Sequence, residues 1–173
     1  MALEFIAALV AAVGFGGLAL AFRRLSGGRA PKWIVPVAAA LGLLSVTVLS
    51  EYGWYDRVTA ELPEGVSVVW SEDGAHPLRP WTYLAPVTLR FIAMDVRNLT
   101  QDPANTDLRM APVYRMERWR PVDQALMLID CAGRRRALLT SDIVRDGSGA
   151  IVGADWIGAP SDDRFLAAAC PEV

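Results

Sequence analysis

Two runs of eighteen residues without a charge, Phe5 to Phe22 and Trp33 to Ser50, constrain this chain more than any other feature. As a helix, each would cover about 27 Å, close to the hydrocarbon thickness of a bilayer. The pattern predicts two transmembrane helices over residues 4–22 and 33–51, joined by the connection 23–32. A cleaved secretory signal is the competing reading of the first run, but it calls for a basic stretch ahead of the apolar one, and the early charge here is Glu4. A buried hairpin of a soluble protein is a second alternative. It would need a core that the 123 residues after Ser50 are poorly sized to supply.

Orientation follows from the connection, which carries Arg23, Arg24, Arg29 and Lys32 and no acid. The positive-inside rule assigns such a loop to the cytoplasm and both termini to the other side. Trp33 at one boundary and Tyr52, Trp54 and Tyr55 at the other suit the headgroup zone. Residues 51–173 hold 13 Arg and 18 Asp or Glu, a net of −5, so the strong basic cluster nearest the spans is the loop itself. Small residues recur four apart, Ala8, Ala12 and Gly16 in the first span and Ala38 and Gly42 in the second. Such faces allow close backbone approach where lipid supplies no hydrophobic drive. They are expected to pack the two helices together or to form a docking seam for a larger complex. Pro36 falls in the first turn of the second helix, where its missing N–H costs little. Neither span carries an ionisable group apart from Glu4 at the edge, which argues against an ion path or proton relay.

Beyond Tyr55 the chain changes to short apolar runs punctuated by turn residues. Strands are expected at 65–70, 87–95, 113–119, 125–131, 135–144 and 151–156. Turns are expected at Glu72-Asp73-Gly74, Asp102 to Asn105, Arg120-Pro121, Ala132-Gly133 and Asp146 to Gly149. Short connections favour antiparallel pairing. Ser161, followed by Asp162 and Asp163, opens a terminal helix through about Cys170, with the carboxylates at the positive end of its dipole. The two cysteines, Cys131 and Cys170, both fall in this part, and an oxidising compartment would bridge them. Closing that loop stabilises by about 4 kcal/mol in the chain-entropy estimate.

The stretch 126–170 contains an apolar strand ending in Asp130-Cys131, basic residues Arg134 to Arg136, Asp146-Gly147 at a turn, Trp156, and a helix closing on Cys170. In that order it resembles the C-terminal part of the surface-adhesin E-like proteins of bacterial envelopes, over about 45 of the 173 residues. The resemblance implies a soluble or lipid-anchored binding module behind a cleaved signal, and the helical hairpin departs from that pattern. The chain as a whole is similar to small inner-membrane proteins of proteobacteria, a likeness that implies a location and no activity.

Motifs for chemistry are sparse. His76 lies in a Gly-Ala-His-Pro loop with no Gly-x-Ser-x-Gly elbow, and Lys32 lies in the basic connection. Asp162-Asp163 and Glu72-Asp73 lack the spacing of a calcium or zinc site, and no Gly-rich phosphate loop or cofactor motif occurs. Paired carboxylates for glycoside hydrolysis come together only in the fold. Arg134, Arg135 and Arg136 are the densest basic cluster outside the connection. They could meet an anionic partner or, alternating in direction along a strand, be solvated or salt-bridged. The acidic balance argues against nucleic acid.

The expectation is therefore an α+β chain. A transmembrane hairpin (residues 1–55) would precede a small antiparallel β-rich domain (residues 56–173) with a disulfide-stapled C-terminal helix. It would sit in a bacterial inner membrane with both termini outside, and present a binding or assembly module to a protein partner in the envelope, as an accessory subunit in the narrower form. The alternative is a carboxylate-dependent hydrolase of envelope polymers.

Overall fold

The computed structural model describes residues 2–103, 105–146 and 150–170. The turn expected at Asp146 to Gly149 falls largely outside the described residues, as does Ala104 of the one at Asp102 to Asn105. The chain divides into two compact units, Met1–Arg57 and Val58–Val173.

The first unit is a hairpin of α1 (Ala2–Leu25) and α2 (Ile34–Tyr52). Both helices are long and apolar enough to cross a membrane. Leu9, Val13, Leu18, Leu41 and Leu49 are exposed on their outer faces, more apolar surface than a water-facing hairpin tolerates. α1 continues three residues beyond the expected Phe22, because Arg23 and Arg24 suit the negative end of the helix dipole. Gly27 and Gly28, at φ 63° and 76°, then end it, with Gly28 N–H donating to the Arg23 carbonyl at 3.0 Å. The seam between the helices is built from the small residues. A Cβ on Gly42 would lie 2.8 Å from the Ala11 carbonyl oxygen and 3.0 Å from Phe15 Cβ; one on Gly16 would lie 3.4 Å from Ala39 Cβ. Ala8, Ala12 and Ala38 are half-buried along the same seam. At the open end, Ser50 Oγ donates to Glu4 Oε1 at 2.7 Å, and Arg57 approaches the same oxygen at 3.8 Å. A short helix that the sequence reading lacks, α3 (Trp54–Ala60), follows.

In the second unit an antiparallel sheet curls into a half-barrel. Its strands are β1 (Val66–Gly74), β2 (Val87–Asp95), β3 (Thr100–Gln101), β4 (Leu108–Glu117), β5 (Asp123–Asp130), β6 (Arg135–Leu138) and β9 (Ile157–Gly158), in the order β1-β2-β4-β5-β6-β9, with β3 paired to β4. A separate ribbon joins β7 (Val144–Arg145) to β8 (Ile151–Val152). One face of the sheet contributes Met94, Ala111, Val113 and Ile129 to a core closed by α4 (Arg164–Ala169) through Phe165, Leu166 and Ala169. The Cys131–Cys170 disulfide lies within that core and ties the end of α4 to the residue after β5.

Several boundaries differ from the sequence reading. Glu72-Asp73-Gly74 is strand, because Glu72 pairs with Arg90 and Asp73 Oδ1 accepts from Thr88 Oγ1 at 2.7 Å across to β2. The chain reverses instead through a longer loop holding a 3₁₀ turn at Pro80–Tyr83. β4 starts five residues earlier than expected despite Pro112. β2 pairs with β4 from Val113 onward and β3 with Arg109 and Met110, so the missing N–H of Pro112 falls in the gap between those partners. Trp119, expected in strand, sits in the following turn at φ 72°. The run expected at 135–144 stops at Leu138, and that at 151–156 yields two residues, with Ile157–Gly158 pairing to β6 instead. The cap of α4 is Asp163 rather than Ser161: its Oδ1 accepts from Phe165 N at 2.9 Å and Leu166 N at 3.2 Å.

Candidate functional site

The three arginines, for which the sequence left open an anionic partner or a solvated or salt-bridged strand, are spread over different surroundings. Arg134 is not in the strand; it occupies the β5–β6 turn at φ 45° and donates to the Pro160 carbonyl at 3.0 Å. Arg135 Nε donates to Asp130 Oδ2 at 2.7 Å while its guanidinium lies 4.6 Å from the Trp156 ring. Arg136 points to the opposite face, 3.2 Å from Asp163 Oδ2 and 4.1 Å over Phe165. Each charge meets an internal carboxylate, carbonyl or ring. Arg109 adds to the arrangement by donating to the Ala169 carbonyl at the end of α4. Cations thus hold both the cap and the last turn of that helix, where the dipole favours them at the C-terminal end.

A concave site lies on the other face of the sheet and was not found from sequence. Three separated stretches build it: Leu62 to Val66 ahead of and opening β1, Asp95 to Asn98 after β2, and Tyr114 with Met116 from β4. Antiparallel register brings them together, since Met94 stands opposite Val113 and Ala93 opposite Tyr114. The cleft measures about 530 Å³, in the range of small-ligand and side-chain sites. Its floor is apolar, from Leu62, Pro63, Val66, Tyr114 and Met116. Arg97 and Glu64 stand at its rim, 4.0 Å apart and both exposed. Asp95 organises the polar wall. Its Oδ1 accepts from the Arg97 and Asn98 N–H groups at 3.0 and 3.2 Å, and its Oδ2 from the Asn98 side-chain amide at 2.7 Å. The Asn98 amide, with the backbone N–H bonds, holds the Asp95 carboxyl below its ordinary range. That is the reverse of what a general acid needs, and it makes Asp95 a structural anion.

His76 accepts from Leu78 N–H at Nδ1 over 3.2 Å, and its backbone N–H donates to Thr82 Oγ1 at 2.9 Å, so it shapes its loop. Among the described residues no group of three or more His, Cys, Asp or Glu is placed to hold a metal ion. Gly16 and Gly42 face the partner helix of the hairpin and are engaged within the chain, while Ala8, Ala12 and Ala38 are half-buried. A further surface joins the loop 75–86 to the turn 118–122. Leu78, Tyr83, Leu84, Trp119 and Val122 are all exposed there. No family model, curated protein or solved structure matches this chain.

Proposed function

We propose that this is a membrane-anchored envelope protein whose β unit receives part of a partner in its cleft, as an accessory or assembly subunit. The observation that carries the reading is the cleft itself: an apolar floor with one rim cation, one rim anion and a structurally committed Asp95, suited to holding an apolar group rather than to acid–base chemistry. The apolar hairpin supports anchorage, and the basic connection supports a cytoplasmic loop with both termini outside a bacterial inner membrane. The Cys131–Cys170 bridge supports an oxidising, extracytoplasmic side for the β unit.

Purification of the full chain in mild detergent, beside Tyr114→Ala and Met116→Asp variants, tests the binding role. A stoichiometric companion that both variants lose supports it; the same material recovered from all three sinks it. Sidedness is tested by thiol labelling in intact cells, where Cys131 and Cys170 should label only after reduction.

A further inference from the structure

The end of the sheet formed by the loop 75–86 and the turn 118–122 combines exposed apolar side chains with arginines. The two segments share that end because Gly74 pairs with Val87 and Arg90 with Glu117, so the β1–β2 and β4–β5 connections emerge side by side. Leu84 is 91% exposed, Leu78 83% and Tyr83 63%, and Trp119 and Val122 stand among the exposed apolar residues. Within the two segments the charges are Arg79, Arg118 and Arg120, with no acid, on a part of the chain whose net charge is negative. Arg118 stacks 4.8 Å from the Trp119 ring, keeping charge and indole together, and Arg120 keeps a 3.6 Å contact with Glu117 at the border.

Resting on the membrane anchorage proposed above, we infer that this tip docks on an anionic lipid surface, that of the bilayer carrying the hairpin. Leu, Tyr and Trp side chains at loop tips partition into the headgroup and upper acyl region, and each arginine beside them gains from anionic headgroups. Glu117 and Asp123, which flank the turn 118–122, are matched by Arg120 and Arg115. The end of the sheet thus keeps a net positive charge with Arg79 and Arg118, and screening over roughly 8 Å at physiological salt separates it from more distant acids. A second copy of the same tip is a poor occupant, since it would set three arginines against three. The bilayer of the anchor is the favoured source of lipid because the β unit is covalently continuous with the hairpin, which keeps the effective concentration high.

The test uses the full chain in nanodiscs of phosphatidylcholine alone and of phosphatidylcholine with phosphatidylglycerol, reading amide hydrogen exchange. Exchange over 75–86 and 118–122 is expected to slow about tenfold in the anionic discs, with the effect reduced by salt. The double substitution Tyr83→Asp with Leu84→Asp, both side chains already in solvent, should return the tip to its neutral-disc rates and leave β4 and β5 unchanged. Equal rates in the two disc compositions overturn the proposal, and so does slowing that follows protein concentration in detergent without lipid, which assigns the tip to a second copy. Loss of the chain from the discs altogether would instead count against the anchor.

Discussion

The two units of this protein solve the same problem of holding elements together by opposite means. In the hairpin, cohesion comes from what is missing: at Gly42 and Gly16 no side chain separates the helices, so backbone and Cβ atoms touch directly. In the β unit, cohesion comes from what is added: a packed core, a capped helix, internal ion pairs and a covalent bridge around α4. The difference matches the solvents expected for the two. Lipid tails offer no drive to bury apolar surface and reward close van der Waals approach. Water rewards burial, and a domain of about a hundred residues has only about 5–15 kcal/mol in hand.

Four variants break or sharpen this contrast. The largest effect is expected from replacing both Cys131 and Cys170 by Ser. This should destabilise the β unit by about 4 kcal/mol in urea unfolding followed by exchange of residues 108–130, with the hairpin unaffected. Next is Asp163→Ala. It removes the cap of α4 and leaves Arg136 facing the core without its carboxylate, for about 3 kcal/mol by the same readout. Gly42→Leu should do the converse, costing the hairpin about 2 kcal/mol, visible as lost cross-linking between the helices, while the β unit keeps its unfolding midpoint. If any of the three moves both units equally, the chain unfolds as one body and the contrast is wrong.

The smallest effect concerns pH. The Asp95 pKa in the folded unit lies below its ordinary 3.8, so its contribution is present above that value and disappears as pH falls through the lower folded one. Asp95→Asn should therefore flatten the acid limb of a melting profile and change little near neutrality. A variant and parent with parallel acid limbs would show that the Asn98 bond contributes nothing.

What could be read from the sequence depended on how local its cause was. Val87–Asp95 was legible residue for residue, because a run buried on both sides over much of its length needs continuous apolar character. The helices were legible from hydropathy alone, although the C-terminal end of α1 was set by cations and positive-φ glycines that the eighteen-residue run does not include. β4 was half missed because Pro112 reads as a strand breaker, and the gap that excuses it is a property of its neighbours' register. The arginine triplet was conspicuous as charge, yet its partners Asp130, Trp156, Pro160 and Asp163 come from four other places in the chain. The cleft left no signal at all: three stretches separated by tens of residues share it, and none of them is unusual alone.

The disulfide also sets an order of events. Cys131 and Cys170 stand at a sequence separation of 39, and β6, β7, β8, β9 and α4 all lie between them. Covalent closure must wait until every one of those elements has emerged and α4 has found the sheet. Once formed, the bond serves as a durable chemical record of the compartment in which folding finished. A chain delivered to a reducing side would carry two thiols at the same place and an α4 held only by its cap, its arginines and its packing. The mobility of one band on a non-reducing gel thus reports, long after synthesis, on whether the β unit was completed in an oxidising or a reducing compartment.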